Sequence, residues 1–269
     1  VVGMNIPKET LDQLFMNLGD YNPVTNAAME KIAISLRLVG IAIVSILFLV
    51  ELNSYVKKFD SDSGGLTSEV YLHLAIKYLM AYALIMTSSY LVDGIVWFGI
   101  KMGQIINSVV EVTGVDDAIP PLKKMKMFER IFAFMFRIFA YLALALSGWI
   151  GSILIFLRGL ELYIIKAFAP ILLAFFVHED LRSITIGFIK YVMAVVLQGA
   201  LLVLIIGLIP IITSNDFLSM GALDGNILEK AGTAISNIMD YFTLILKYIV
   251  IIVLLIGSQR KAKQFMGAM

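Results

Sequence analysis

Among the adjacent titratable groups of this chain, His178-Glu179-Asp180 and Asp116-Asp117 are the clusters whose residue types suggest chemistry. His178-Glu179-Asp180 places a base beside two carboxylates, but consecutive residues on a helix do not face one another. Of the 2 histidines, the other is the remote His73, so no metal set is completed and the cluster reads as a hydrated helix end. Asp116-Asp117 lacks the wider acidic spacing of a Mg²⁺ site, and the following Pro120-Pro121 marks a loop. The sequence contains no HExxH, GxSxG, GxxxxGK[ST] or GxGxxG. No catalytic, cofactor-binding or metal-ligating residue is assigned, and the chain is read as non-enzymatic. A membrane enzyme would require the 178–180 cluster to be essential.

The other chemistry-bearing residues are ionisable groups within apolar runs. Each costs about 2.5–3.5 kcal/mol on insertion scales and needs a partner, water or an escape route. For Arg37, Lys77, Arg137, Lys166 and Lys190, snorkelling towards the headgroups is the expected escape. Lys247 lies midway along its run, seven residues after Asp240 on the same face, and either pairs with that carboxylate or faces a water-filled path. Asp93 is either buried and paired, with Arg137 or Lys247, or it caps a helix end. Gln198 is expected to hydrogen-bond a neighbouring helix. Arg137, Gln198, Asp93, Asp240 and Lys247 are therefore the candidate intramembrane polar residues.

The elements that must position these groups are membrane helices. Hydrophobic residues make up 60% of the chain, charged residues 15%, and the mean hydropathy is +0.91, well outside the range of soluble domains. From Ile131 to Val177 the apolar sequence is interrupted only by Arg137, Arg158, Glu161 and Lys166, and a crossing needs about 20 residues. With 21 basic and 20 acidic residues there is no global basic field for nucleic acid. Absence of cysteine excludes disulfides, thiolate metal sites and thiol nucleophiles. The opening VVGMNIPKE has neither a basic n-region nor an apolar h-region, so no cleavable signal is expected there; trimming at either end stays open.

The pattern predicts an all-α polytopic transmembrane bundle of five or six crossings with an N-terminal amphipathic helix. Residues 1–30 form the N-terminal segment, with Leu11, Leu14, Phe15 and Leu18 at helical spacing until Gly19-Asp20-Tyr21-Asn22-Pro23. It lies on the membrane surface or packs on its own protein. Residues 31–257 form the membrane domain and 258–269 a basic cytoplasmic tail. The runs are Ile32–Val50, an overlong stretch from Tyr71 to about Met102, Ile131–Leu157, Leu160–Val177, Ile184–Ile212 and Ile238–Gly257. Arg158-Gly159 is expected as a tight turn between the third and fourth, and 51–69, 103–130 and 215–237 as loops. Pro170 is expected to kink its helix. Gly99-x-x-x-Gly103, Ser147-x-x-x-Gly151 and Gly148-x-x-x-Ser152 suit close helix contacts.

Six crossings with the tail inside place Lys123, Lys124, Lys126, Arg130, Arg182, Lys190, Arg260, Lys261 and Lys263 on the cytoplasmic side, with Lys8, Lys31 and Lys101. Lys57, Lys58, Arg158 and Lys230 fall outside. Five crossings would reverse the N-terminus.

The segment Gly159 to Val177 with its mid-span Pro170, the charged turn after it, and the long helix with Gln198-Gly199-Ala200 resemble the core of the TrbL-like family, polytopic inner-membrane subunits of conjugative type IV secretion systems. The resemblance covers about 130–257. It implies a membrane-embedded, non-enzymatic subunit of the bacterial cytoplasmic membrane that forms a ring-shaped homo-oligomer. Such a subunit would help DNA or protein cross, beside secretion ATPases and other conjugation subunits. The partners implied are lipid, further copies of the chain, those subunits and translocating single-stranded DNA. Lys123, Lys124, Lys126 and Arg130 would then contact a phosphate backbone or an acidic ATPase surface, or else simply orient the chain. A stand-alone solute transporter or ion channel using Asp93 and Lys247 is the alternative.

Overall fold

The computed structural model describes residues 6–61, 68–110, 119, 127–214 and 225–268, all of them in helices or short connections. The order is α1 (Lys8–Asp12), a 3-10 turn, α2 (Leu18–Tyr21), α3 (Pro23–Ser61), α4 (Ser68–Met86), α5 (Ser88–Val110), α6 (Met127–Ala174), a second 3-10 turn, α7 (Arg182–Ser214) and α8 (Gly225–Met266). Four helices are long and apolar enough to cross a membrane, or five spans if the bent α4–α5 pair counts as one. The all-α membrane class predicted from the sequence is what the chain adopts.

Helix ends follow local chemistry. The Asn22 side chain accepts a hydrogen bond from the Thr25 amide at 3.0 Å, and Pro23 opens α3, where its missing N–H costs nothing. The Asn-Pro pair expected to end a pattern therefore starts a 39-residue helix. At the other end of the chain, Gly267 takes φ +57°. The Ala268 amide bonds the Lys263 carbonyl and the Gly267 amide bonds that of Gln264, so α8 closes in a Schellman motif.

Three expectations are corrected. First, Arg158-Gly159 does not turn the chain, since α6 runs unbroken for 48 residues, about 72 Å at 1.5 Å per residue. The glycine is there for packing: a Cβ on Gly159 would lie 3.0 Å from the Tyr21 ring. Second, the 71–102 stretch is two helices bent by 65°. Thr87 sits at the break, and its hydroxyl donates to the Ala83 carbonyl at 2.7 Å alongside its own amide, a back-bond that bends helices. Third, the 215–237 loop is shorter than expected because α8 already begins at Gly225. The predicted break at Pro170 falls inside α6, near its end.

The first correction changes the orientation count. Counted once, α6 leaves three candidate spans between Arg130 and the C-terminal tail where four crossings were expected. The candidate spans in this stretch are therefore one fewer than the six-crossing count assumed. Lys123, Lys124 and Lys126 lie outside the described residues, as do Asp116 and Asp117; Arg130 is exposed at the start of α6.

The chain forms two compact units. One comprises residues 1–15, 101–157 and 198–261. Its core joins Leu202, Val203, Ile206 and Ile209 of α7 to Tyr248, Ile251 and Leu255 of α8 and to Ile155 of α6, with Ile6 and Leu14 from the N-terminal segment. The other comprises 16–100, 158–197 and 262–269. There Val92, Val96 and Ile100 of α5 meet Leu162, Tyr163, Ala169 and Leu173 of α6 and Val192, Val195 and Val196 of α7, with Leu18 packed in. Ile6, Leu14 and Leu18 thus pack the N-terminal segment onto its own protein.

Small residues set helix approach within the second unit. A Cβ on Gly99 would lie 2.0 Å from Val196 Cγ1, and one on Gly40 would lie 2.8 Å from the Pro170 carbonyl oxygen. Gly187 faces open space. Gly40→Ala and Gly99→Ala should each destabilise the protein by about 1–3 kcal/mol through overpacking. Gly187→Ala should be neutral or stabilise by about 0.5–1 kcal/mol. Unfolding of the three variants in detergent measures this, and equal effects at all three positions would refute the packing role.

Candidate functional site: a buried ion pair on α6

The face of α6 carrying Gly159, Tyr163, Lys166 and Pro170, spaced by four, three and four residues, is buried within the second unit. Each side chain on it answers a specific need. Lys166, 2% exposed, cannot reach headgroups, so its ammonium is neutralised in place. It donates to Asp93 Oδ2 at 2.8 Å and to Asn26 Oδ1 at 3.1 Å. Three helices, α3, α5 and α6, thereby supply one charge-assisted cluster. One turn earlier, the Tyr163 hydroxyl donates to the Leu18 carbonyl at 2.6 Å and reaches that of Asn22 at 3.3 Å. Leu18 opens α2 and Asn22 caps its end, so the phenol ties α6 to the α2–α3 corner, adding to the backbone amides of Asn22 and Asn26 that these carbonyls already accept. Tyr21 lies against Gly159, and burial raises its phenol above the ordinary value, with the Arg158 charge opposing that shift. Arg158 itself, 6% exposed, donates from Nε to the Val195 carbonyl of α7 at 3.2 Å.

The cluster is asymmetric. The Asp93 side chain is 42% exposed while that of Lys166 is 3%. The carboxylate therefore retains water, and the ammonium depends on its partners.

Of the two readings open for Asp93, a buried pair or a helix-end cap, the structure has the pair, with Lys166 as the cation where Arg137 or Lys247 was expected, and with the carboxylate only half-buried. Lys166 does not snorkel because the face of α6 it occupies is covered by protein. Arg37 does not snorkel either; it sits well inside α3 and its guanidinium reaches Ser89 at 3.4 Å. Lys77 meets Glu51 at 2.7 Å and Glu179 at 3.9 Å, and the Tyr78 hydroxyl donates to the same Glu51 carboxylate at 3.0 Å. Arg137 stacks over Tyr141 on its own helix, 5.6 Å from the ring centroid. Lys190 is exposed, as snorkelling requires. Gln198 is 3% exposed, and its Oε1 finds no hydrogen-bond partner among the described residues, so the bond expected of that atom is not made within them. Lys247 is buried and Asp240 exposed.

Sequence reasoning missed Asn26, Tyr163 and Arg158. A readable signal existed: the 159–163–166–170 stripe places only glycine, tyrosine, lysine and proline on one helical face, an arrangement poorly suited to lipid.

His178, Glu179 and Asp180 form the connection between α6 and α7. His178 Nδ1 lies 3.9 Å from Asp180 Oδ2, and both acids are largely exposed. With Glu51, Ser54 and Tyr55 they line a cavity of about 190 Å³. No group of His, Asp or Glu able to hold a metal ion occurs among the described residues.

Long apolar helices tied by an internal ion pair define a multi-pass membrane protein. The model of the family described as "TrbL/VirB6 plasmid conjugal transfer protein" matches residues 71–258, more than two thirds of the chain. The chain belongs to that family, a family of transfer-system membrane subunits rather than of enzymes. No curated protein and no solved structure matches it.

Asp93→Asn leaves a buried ammonium without its counter-charge and should cost about 3–5 kcal/mol. Lys166→Met leaves a carboxylate that water already reaches and should cost clearly less. The double variant should recover most of the Asp93→Asn loss. Melting of the purified variants gives the order, and a larger loss for Lys166→Met would contradict the asymmetry. Tyr163→Phe should cost about 0.5–1.5 kcal/mol and speed proteolysis within residues 6–22, with the rest of the chain protected.

Proposed function

We propose that this chain is a channel or scaffold subunit of a conjugative type IV secretion system, non-enzymatic, and that it works as a ring-shaped homo-oligomer helping DNA or protein substrate cross the cytoplasmic membrane. The observation that carries the assembly reading is the length of an apolar face. On α6, exposed side chains run from Ile131, Phe132 and Met135 through Phe139, Leu146, Trp149 and Phe156 to Ile164 and Phe168. This stripe is about 55 Å long at 1.5 Å per residue, against a hydrocarbon thickness of about 30 Å. Even a tilt of about 40°, the upper end of the usual range, leaves roughly 42 Å. Lipid covers part of the face, and another protein surface suits the remainder.

The tail is proposed as cytoplasmic, which assigns Arg182, Lys190 and Lys263 to that side. Arg130, at the start of α6, is then one span removed from that side, and contact with cytoplasmic ATPases is proposed for the tail end.

Because the chain has no cysteine, single introduced cysteines test both parts. Trp149→Cys and Phe156→Cys should crosslink between copies in native membranes and change conjugation efficiency. Ala268→Cys should resist a membrane-impermeant maleimide in intact cells while Met125→Cys reacts. Absence of crosslinking anywhere on the stripe, together with recovery of a monomer lacking secretion subunits, would overturn the assembly reading. The half-exposed Asp93 carboxylate favours one alternative, a stand-alone transporter using Asp93 and Lys247. That reading requires solute flux by the purified chain alone.

A further inference from the structure

Lys190 and Lys263 come from different helices and converge where the end of α8 meets the first half of α7. Lys263 Nζ stands 5.0 Å from the centroid of the Tyr191 ring, and Lys190 Nζ lies 3.8 Å from where a Cβ on Gly267 would be. Neither lysine forms a salt bridge among the described residues. The nearby carboxylate of Glu161 already accepts the Tyr191 hydroxyl. The carbonyls of Lys263 and Gln264 are taken by the Schellman closure of α8, so they do not compete for the ammonium groups. One turn before Lys190 on the same face of α7, Ile186 is 44% exposed.

Depth decides what can neutralise two such cations. The α7 span of 28 residues is about 42 Å long, roughly 6 Å beyond the hydrocarbon on each side when centred. Lys190, eight residues into it, is then about 6 Å inside the hydrocarbon edge, a distance a lysine stem covers. Its ammonium reaches the layer of lipid phosphates, with the Ile186 side chain one turn away for acyl chains.

We propose that Lys190 and Lys263, with Tyr191 as the aromatic floor, form a binding site for the phosphate of an anionic phospholipid headgroup. The two ammonium groups face one phosphodiester, and Ile186, one turn from Lys190, lies against its chains. Gly267 leaves the approach open, because its left-handed turn carries no side chain over Lys190.

The test uses the full chain in nanodiscs containing equal phosphatidylglycerol and phosphatidylcholine, with bound lipid read by native mass spectrometry after gentle release. Wild type is expected to retain phosphatidylglycerol preferentially. K190Q/K263Q should lose that preference by about tenfold or more, and each single variant by about fivefold, while K190R/K263R keeps it. The single variants carry the test should the double variant not fold. An undiminished preference in the Gln variants overturns the proposal. So does protection of the protein by inorganic phosphate in pure phosphatidylcholine discs equal to that given by phosphatidylglycerol, since the site would then serve a soluble anion.

Discussion

A lysine ammonium buried in an apolar helix bundle must be neutralised where it stands, and the second unit is arranged around that requirement. Lys166 holds Asp93 and Asn26 to α6, and so binds α3 and α5 to it. The same helix face supplies the Tyr163 hydroxyl for the Leu18 carbonyl of α2 and a glycine for the Tyr21 ring. Proline four residues after Lys166 removes the amide that would bond the lysine carbonyl. Polar groups that would be liabilities against lipid are thereby concentrated on one protein-covered face, leaving the opposite face of α6 free to be apolar.

Helix approach depends on the same economy of space. In lipid, helices gain little from hydrophobic burial against one another, so close packing and hydrogen bonds carry association. Gly40 against the Pro170 carbonyl and Gly99 against Val196 bring backbones nearer than any side chain would allow. Arg158 donating to the Val195 carbonyl adds a polar tie between α6 and α7 in the same unit. Small-residue spacing in this chain therefore serves intrachain contacts at Gly99, the use the sequence favoured over contacts between subunits.

Membership of the TrbL/VirB6 family gives this architecture a setting. The family match begins at residue 71, yet Leu18, Asn22 and Asn26, well before it, are built into the packing around α6. The N-terminal segment is thus part of the folded unit in this chain, tied by hydrogen bonds as well as by Leu18. The unbroken length of α6 is the second distinguishing feature, because one 48-residue helix stands where two shorter ones were expected.

Hydropathy and helical period are properties of neighbouring residues, so the sequence by itself determined the all-α membrane class, the approximate runs, the absence of thiol chemistry and the family resemblance. For Asp93 it left two readings, a paired carboxylate or a helix-end cap. What only the tertiary structure decided was which partner, and what each interrupting residue does. Whether Gly159 turns the chain or receives Tyr21, and whether Lys166 snorkels or pairs, depends on which distant helix lies against that face. Asn26 and Asp93 are 140 and 73 residues from Lys166 in the chain, and no local pattern specifies so long-range a contact. Burial converts a costly charge into a tether only once the helices have met.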